Sequence, residues 1–333
     1  MTNLVLVTGA TGFVGSNLCA DLVKRGYKVR ALVRNKKKLY MLEGVDTEIA
    51  WGSLEQPESL EAACKGVDYI INVAALASDW GKYKDFYIPN VKGVEYLLNF
   101  SLKENIKRFV HISSIAIHGF GNHIDTTEDG PFFPTKFPYC VTKMESEKLL
   151  FDYYKRHKLP VTAIRPGNIF GEKDTLTFAP IAAALEKRQL PYVDGGKWLT
   201  CPVSVYNLND AIIAAMENDK AIGESFIITD GLKITWKEWS RKLCGGLCVI
   251  ESPHSYPGWF ARFLGASMEG IYKLFRAKCP PPLTRYRTQQ VSSNYHFSIE
   301  KAKRLLGWYP RVDIDDAIMR TVEWYREHVK AIE

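Results

Sequence analysis

The sequence lacks features of three classes of protein: those that span a membrane, those that bind nucleic acid through a basic tail, and those that carry a secretion signal. It has no run of eighteen or more apolar residues, so we expect no transmembrane helix. Its net charge is +7, but the basic residues are scattered and form no tail of the kind that binds nucleic acid. The first strand-like segment begins at residue 4, so we expect no signal peptide.

The sequence also lacks the cysteine pattern of a zinc site or a disulfide framework. The seven cysteines are odd in number and show no such spacing, which favours a reducing compartment. We therefore expect a cytoplasmic protein with a small-molecule substrate, no metal site and no nucleic-acid partner.

The chain is organised around its first fifteen residues. Leu4-Val5-Leu6-Val7 is typical of a buried strand, Gly9, Gly12 and Gly15 follow it, and a helical pattern then begins. Glycines between a strand and a helix let the backbone approach a pyrophosphate, and the helix N-terminus attracts the phosphates. This stretch predicts a dinucleotide site, although a glycine-rich turn without a ligand is the alternative.

Strand and helix patterns alternate as far as residue 167. This rhythm predicts an α/β fold, a Rossmann-type doubly wound parallel sheet, with a smaller C-terminal α+β substrate lobe. We place residues 1–167, with about 203–219, in the dinucleotide-binding domain. Residues 168–202 and 220–333 are assigned to the substrate lobe, while 119–138 is predicted to be an irregular loop.

Arg34 indicates which dinucleotide binds. It follows the second predicted strand, where an acidic residue would bond the 2′-hydroxyl of NAD, and Lys36, Lys37 and Lys38 come close behind. A guanidinium pairs well with phosphate oxygens, so the sequence favours NADP(H), with NAD(H) still possible. A solvated basic turn is the alternative reading.

Three polar residues are expected to meet at the C-terminal edge of the sheet. Ser114 follows the fifth strand, and Tyr139 and Lys143 share one face of the next helix. The ammonium and the positive nicotinamide ring should lower the pKa of Tyr139, and a shift of about three units requires roughly 4 kcal/mol. Tyr139 would then exchange a proton with a substrate oxygen while Ser114 holds that oxygen. Tyr154 and Lys158 repeat the spacing, but Tyr154 lies about 22 Å further along the helix and is predicted to be structural.

These motifs together resemble the extended short-chain dehydrogenase/reductases. The resemblance rests on 8–15, Ser113-Ser114, Tyr139 with Lys143, and 165–171. Two further pairs of stretches, 78–87 with 90–93 and 282–285 with 297–302, resemble the 3β-hydroxysteroid dehydrogenase branch, and the Arg34 region resembles dihydroflavonol reductases, which use NADP(H).

The resemblance implies specific site residues. Ser114, Tyr139 and Lys143 would be catalytic, with Lys143 also bonding the nicotinamide ribose. Dimers would form through the helices 90–104 and 139–156. The implied cofactor-binding residues are Gly9, Thr11, Gly12, Phe13, Val14, Gly15, Arg34, Lys38, Ser53, Leu54, Ala74, Ala75, Tyr139, Lys143, Pro166, Asn168 and Ile169. Asn72 and Ser53 depart from the family pattern, which has a histidine and an aspartate at these positions.

The predicted reaction is interconversion of a secondary alcohol and a ketone on an apolar substrate. Aromatic residues near the site predict a hydrophobic pocket, although aromatics are also ordinary core residues. The substrate candidates are Ala77, Trp80, Tyr83, His118 and Phe170, and Phe86, Phe132, Phe133 and Phe178 are predicted to add to the lining. His118 has the alternative of an inert, hydrogen-bonded loop residue.

Two other functions remain open. An NAD-retaining nucleotide-sugar epimerase could use the same Ser, Tyr and Lys, but Arg34 argues against NAD. A non-catalytic NADP(H) sensor would not need Tyr139 and Lys143. A sugar dehydratase is set aside because apolar Ile115 and Ala116 follow Ser114, where extra carboxylates would be needed.

Residues 259–275 carry apolar side chains at helical spacing, with basic residues among them. This segment is predicted either to pack as core or lid over the cleft or to contact a membrane surface peripherally.

Overall fold

A computed structural model describes residues 3–277 and 279–330 of the chain. Its centre is a seven-stranded parallel sheet. In chain order, all the strands are β1 Leu4–Thr8, β2 Lys28–Val33, β3 Glu48–Trp51, β4 Tyr69–Asn72, β5 Arg108–Ile112, β6 His123–Thr126, β7 Val161–Pro166, β8 Asn168–Phe170, β9 Tyr192–Val193, β10 Leu199–Thr200, β11 Pro202–Ser204, β12 Glu224–Ile228, β13 Ile234–Thr235, β14 Ser255–Tyr256 and β15 Tyr295–Phe297. The sheet order is β3-β2-β1-β4-β5-β7-β12, with every pairing parallel. The order runs outward from β1 in both directions, as expected for a doubly wound sheet.

Helices cover both faces of this sheet. The α-helices are α1 Phe13–Lys24, α2 Pro57–Cys64, α3 Tyr83–Tyr87, α4 Gly93–Glu104, α5 Pro138–His157, α6 Phe178–Glu186, α7 Val205–Glu217, α8 Trp236–Leu247, α9 Gly258–Leu274, α10 Arg285–Gln290, α11 Glu300–Leu306 and α12 Ile314–His328. A π-helical turn, Ile88–Lys92, precedes α4, and short 3₁₀ turns include Lys36–Leu42 and Ile115–His118.

Two hydrophobic layers hold the helices against the sheet. One contains residues of α1, α7 and α11, and the other contains residues of α2, α4 and α5. The central strands are apolar on both faces, so each face must be covered, and the crossover helices do this. The Rossmann-type α/β fold predicted from the sequence is confirmed.

The C-terminal part builds a third core of its own. Helices α6, α8 and α12 bury Phe178, Trp239 and Ile318 among others. Short two-stranded pairs, such as β8 with β11 and β10 with β13, link this core to the sheet edge. None of the helices among the described residues combines the length and the apolar character that a bilayer span requires.

Three segments differ from the sequence prediction. Residues 224–228, assigned above to the substrate lobe, form the edge strand β12 of the main sheet, and α11 packs beside them. Strand β12 completes the main sheet because the buried strand β7 would otherwise expose an unpaired edge. The predicted irregular loop 119–138 contains β6, which pairs with β15 from far along the chain.

Candidate active site

The glycine turn between β1 and α1 forms a tight cradle. Gly9 has φ +67°, and a Cβ there would lie 2.9 Å from the Cα of Ala74. A Cβ on Gly15 would lie 2.1 Å from the carbonyl oxygen of Gly9, so the helix can approach the turn only if residue 15 is glycine. Gly12 is the N-cap of α1, and no side chain of the described residues bonds this helix end. Its first N–H groups therefore point at the space where a pyrophosphate would lie, and the cradle fits a dinucleotide.

Polar side chains fix the neighbouring strand end. The Thr8 hydroxyl donates to Oδ1 of Asn72 at 2.6 Å and accepts from the backbone N–H of Ala74 at 3.1 Å. These bonds hold the small residues Ala74 and Ala75 beside Gly9, where a side chain would obstruct a cofactor. Asn72, a departure from the family pattern, therefore supports the cradle from beneath.

The segment that follows β2 is exposed and basic. Arg34 is 74% exposed and lies 3.9 Å from Glu55, a separation at which an exposed ion pair is weak. Lys38 is also exposed, while Asn35 caps the turn that carries it, accepting from the N–H of Lys37 at 3.0 Å. Ser53 and Leu54 are buried at the start of the next loop. Arg34 is thus free to bind an anion beyond β2.

Ser114 and Tyr139 meet at the end of β5. Pro138 starts α5, as proline favours the first helical position, and this places Tyr139 in the first turn. The Ser114 hydroxyl accepts from the N–H of Ala116 at 3.1 Å and hydrogen-bonds the Tyr139 hydroxyl. The sequence prediction that these two residues come together therefore matches the geometry of the structure.

Lys143 lies one turn further along α5 and is buried. Its Nζ donates to the carbonyl oxygen of Ile112 at 2.7 Å. Burial lowers its pKa to about 8, and the Glu147 carboxylate partly opposes this. Lys143 is still mainly charged at pH 7.

The pKa of Tyr139 moves opposite to the sequence expectation. Burial raises it to about 12, and the Ser114 hydrogen bond only partly offsets the rise. Tyr139 is half-buried as a residue, and desolvation is still the largest influence on its hydroxyl. The chain's own groups thus keep Tyr139 protonated, because desolvation disfavours the phenolate more than one hydrogen bond favours it.

A buried polar chain runs behind the catalytic residues. Nδ2 of Asn72 lies 3.1 Å from Nδ1 of His111, whose Nε2 lies 3.1 Å from Oγ of Ser146. Ser146 in turn donates to the carbonyl oxygen of Lys143 at 2.9 Å. This chain joins β4, β5 and α5, so it fixes Lys143 relative to the cradle.

His118 belongs to a second buried network. Arg165 donates from Nε to the Glu147 carboxylate at 3.0 Å and from Nη1 to the carbonyl oxygen of Glu128 at 2.7 Å. Nε2 of His118 lies 3.3 Å from Nη1 of Arg165, and the ring stacks on Phe132 at 4.4 Å. His118 is fully buried and hydrogen-bonded, which favours the inert alternative, and its substrate contact stays a prediction.

The other substrate candidates divide into cleft and core. Trp80 lies in the loop after β4, and Tyr83 donates from its hydroxyl to Glu145 of α5 at 2.7 Å. Ala77 in the same loop is exposed. Phe170 is buried against Trp239 in the third core, which favours a core role, and its substrate contact stays a prediction. Among the additional aromatics, Phe86 and Phe178 are also buried in the protein interior.

Pro166, Asn168 and Ile169 lie where β7 ends and β8 begins. Oδ1 of Asn168 accepts from Gln290 of α10 at 2.6 Å, and its Nδ2 donates to Thr200 at 3.2 Å. The segment that the sequence assigns to the cofactor therefore contacts α10, which also reaches the catalytic side.

The family comparison agrees with this geometry. Residues 5–229 match the NAD dependent epimerase/dehydratase family, a span from β1 through the last strand of the sheet. The chain belongs to this family. The sequence resemblance to extended short-chain dehydrogenase/reductases is thereby confirmed.

Named relatives within the family are oxidoreductases. The chain is 27% identical to a 4-hydroxy-2-methyl-3-oxo-4-farnesyl-3,4-dihydroquinoline-1-oxide ketoreductase of Stigmatella aurantiaca, with 92% of each chain covered. It is 27% identical to a 2-alkyl-3-oxoalkanoate reductase of Stenotrophomonas maltophilia, covering 95% of this chain and 97% of the relative. It is also 27% identical to a 3 beta-hydroxysteroid dehydrogenase/Delta 5-->4-isomerase of Mycobacterium tuberculosis, covering 96% and 90%.

The solved structures agree on the fold. The crystal structure of gox2253 superposes with a TM-score of 0.83 at 25% identity, with 99% of each chain covered. The family, its relatives and the fold together make this chain an NAD(P)-dependent oxidoreductase that acts on CH–OH groups.

Sequence reasoning missed an aromatic cluster beside Tyr139. Tyr286 of α10 packs edge-on against Phe120 at 4.8 Å and Phe137 at 5.3 Å between ring centroids, and Phe120 also contacts Tyr295. Burial raises the pKa of Tyr286 well above its ordinary value, and the neighbouring Cys140 and Tyr139 add to the rise. The available signal was the Pro282–Arg285 motif, which directly precedes Tyr286.

Proposed function

We propose that this oxidoreductase uses NADP(H) to interconvert a secondary alcohol and a ketone on an apolar substrate. The observation that carries the proposal is the hydrogen bond between Ser114 and Tyr139 at the end of β5, with Lys143 one helical turn away. A substrate oxygen within reach of both hydroxyls would be held by one and protonated or deprotonated by the other.

The protonated state of Tyr139 suits the proton donation that ketone reduction requires. When bound, the reduced cofactor supplies the hydride to the carbonyl carbon. Burial holds the pKa of Tyr139 at about 12, so the hydroxyl carries the proton that the developing alkoxide needs. Ser114 orients the same oxygen, and its hydrogen bond favours the phenolate left after proton transfer. In the oxidation direction, Tyr139 would accept the proton instead, and the Ser114 hydrogen bond favours the phenolate that this requires.

The apolar substrate is inferred from the walls of the cleft. Phe120, Phe137 and Tyr286 pack edge-on against one another, and Tyr286 lies near Tyr139. Trp80 packs edge-on against Tyr272, with ring centroids 6.4 Å apart, beside the loop that follows β4. A mostly apolar site with two convergent hydroxyls is typical of pockets for hydrophobic ligands. The named relatives that act on alkyl-3-oxo acids, farnesylated ketones and steroids support this choice.

The preference for NADP(H) is inferred from Arg34. Its guanidinium is exposed beyond β2, and its Glu55 neighbour is too distant and too exposed to neutralise it. A 2′-phosphate would gain a charge-assisted contact there, whereas a 2′-hydroxyl would gain little.

Cofactor titration tests this part of the proposal. Quenching of tryptophan fluorescence should show tighter binding of NADPH than of NADH, and Arg34→Asp should abolish the difference. Arg304→Asp changes an equally charged, exposed residue on α11 and should leave both affinities unchanged. Equal affinities in the unmodified protein would contradict the NADP(H) preference.

Substrate screening tests the reaction. We expect NADPH oxidation with some of a panel of 2-alkyl-3-oxo acids, 3-ketosteroids and flavonoids. Protein that retains non-exchanging NAD and interconverts nucleotide sugars would replace the proposal with the epimerase alternative. Tight NADPH binding without turnover of any alcohol or ketone would favour the sensor.

A further inference from the structure

Helix α9 has two different faces. The inner face packs against α10, where Gly265 is close enough to Thr284 and Thr288 that a Cβ would lie 3.1 Å from both. On the same side Tyr272 packs against Trp80, and the Trp80 indole donates to the carbonyl oxygen of Ala277 at 3.4 Å. This face is therefore the cover of the predicted substrate cleft.

The outer face of α9 is apolar and exposed. Trp259 is 65% exposed, Phe263 61%, Leu274 78% and Phe275 78%, and Ile271 is also exposed. Trp259, Phe263 and Leu274 lie within about 60° of one another around the helix axis, since residues advance by 100°. Such a cluster of large apolar side chains marks an interaction surface, whereas single exposed residues do not. We call these five residues the α9 patch.

The charges around the patch select its partner. Residues 258–277 contain four charged side chains, and the exposed ones, Arg262, Lys273 and Arg276, are all basic. The one acid, Glu269, is buried and is bonded by Arg285 at 2.9 Å. At the N-terminal end, Asp194 is occupied by the N–H of Gly258 at 2.7 Å and the Trp198 indole at 2.9 Å. The rim of the patch is therefore positive.

A second copy of the chain fits this rim poorly. A two-fold interface sets the same patch against itself, so it would gather Arg262, Lys273 and Arg276 of both copies, and residues 258–277 offer no exposed acid to pair with them. A helix with aromatic and aliphatic residues on one face and cations at its border instead matches an anionic bilayer surface.

We infer that the α9 patch docks the enzyme on an anionic lipid bilayer, with the cover of the substrate cleft lying directly behind the docked face. The inference about substrate entry rests on the proposed function, whereas the docking itself does not. An apolar ketone partitions into lipid, so a cleft that opens at the bilayer surface would receive it without passage through water.

Vesicle co-sedimentation of the full chain tests the docking. At low salt, the protein should sediment with phosphatidylglycerol-containing vesicles and much less with pure phosphatidylcholine. The combined change Phe263→Ser, Leu274→Ser and Phe275→Ser should abolish binding, and its retained NADPH affinity would show that it is folded. Tyr309→Ser removes another large, exposed side chain, at 56% exposure, and should have no effect.

A charge variant separates the two contributions. Lys273→Gln with Arg276→Gln should weaken binding to the anionic vesicles roughly thirtyfold at low salt and reduce its salt dependence. If the unmodified protein bound neither the anionic nor the phosphatidylcholine vesicles, the inference would be overturned. A dimer of the unmodified protein that the triple serine change dissociates would overturn it as well, by assigning the patch to a second copy. If the unmodified protein did not bind NADPH, that result would instead count against the proposed function.

Discussion

At the residue scale, Tyr139 and Tyr154 share the same local sequence spacing but not the same surroundings. Tyr139 bonds Ser114 at the cofactor edge, whereas the Tyr154 ring lies under Gly223 and beside Lys158 at the other end of α5. The position of each ring, and not the spacing, determines what its hydroxyl can do.

This difference predicts a matched pair of variants. Tyr139→Phe should lower kcat roughly a hundredfold to ten-thousandfold, the usual contribution of a positioned proton donor. Tyr154→Phe should leave kcat unchanged. Steady-state kinetics on the substrate found by screening measures both, and a fully active Tyr139→Phe would remove Tyr139 from the chemistry.

Lys143 makes a second prediction, on stability. Its pKa is lowered from 10.5 to about 8 by burial, so between these pH values the unfolded chain binds more protons than the folded chain. The contribution of Lys143 to stability therefore rises as the pH rises from 8 to 10.5, by up to about 3 kcal/mol.

Lys143→Met isolates this effect. We compare the free energy of unfolding of the unmodified protein with that of Lys143→Met. The difference, unmodified minus variant, should have its lowest value below pH 8 and should increase between pH 8 and pH 10.5. Urea denaturation at pH 7, 8, 9 and 10 without cofactor gives the difference. A difference that does not change with pH would show that Lys143 is not desolvated.

At the element scale, the turn between β1 and α1 depends on the absence of one side chain. Gly15→Ala would place a Cβ 2.1 Å from the Gly9 carbonyl oxygen. The atoms that this Cβ would meet belong to the backbone, which cannot move aside as a flexible side chain can. We therefore expect the free energy of unfolding to fall by about 1–3 kcal/mol, the range for overpacked sites, and NADPH to bind more weakly.

Gly245 provides the matched control. It is exposed in α8, and a Cβ there meets nothing within 4 Å. Gly245→Ala should raise the free energy of unfolding by about 0.5–1 kcal/mol, because alanine loses less backbone entropy in a helix. If both variants were equally stable, the close packing at residue 15 would be refuted.

At the scale of the whole molecule, the Arg165 network joins the sheet, α5 and the loop after β5. Arg165 and Glu147 are both buried, and Glu128 also accepts from the N–H of Ile227 in β12 at 2.8 Å. Because these groups come from four separate segments, removing one charge should affect global stability.

Glu147→Gln tests this network. It leaves Arg165 buried without its carboxylate and should lower the free energy of unfolding by about 3–5 kcal/mol. Glu61→Gln breaks an exposed pair with Lys103 and should change it by less than about 1 kcal/mol. Equal effects in chemical denaturation would mean that water reaches Arg165.

The homodimer through α4 and α5 stays a prediction, which sedimentation equilibrium would test.

The sequence by itself determined the order of the main elements, the glycine cradle and the meeting of Ser114 with Tyr139. These follow from local patterns, because apolar strands, glycine turns and parallel strand ends act over a few residues or through one topological rule. Only the tertiary structure decided that β12 completes the sheet and that His118 and Phe170 lie in buried networks. It also placed Tyr286 beside Tyr139 and held the pKa of Tyr139 high. Burial and long-range packing depend on residues far apart along the chain, and no local pattern records which of them meet.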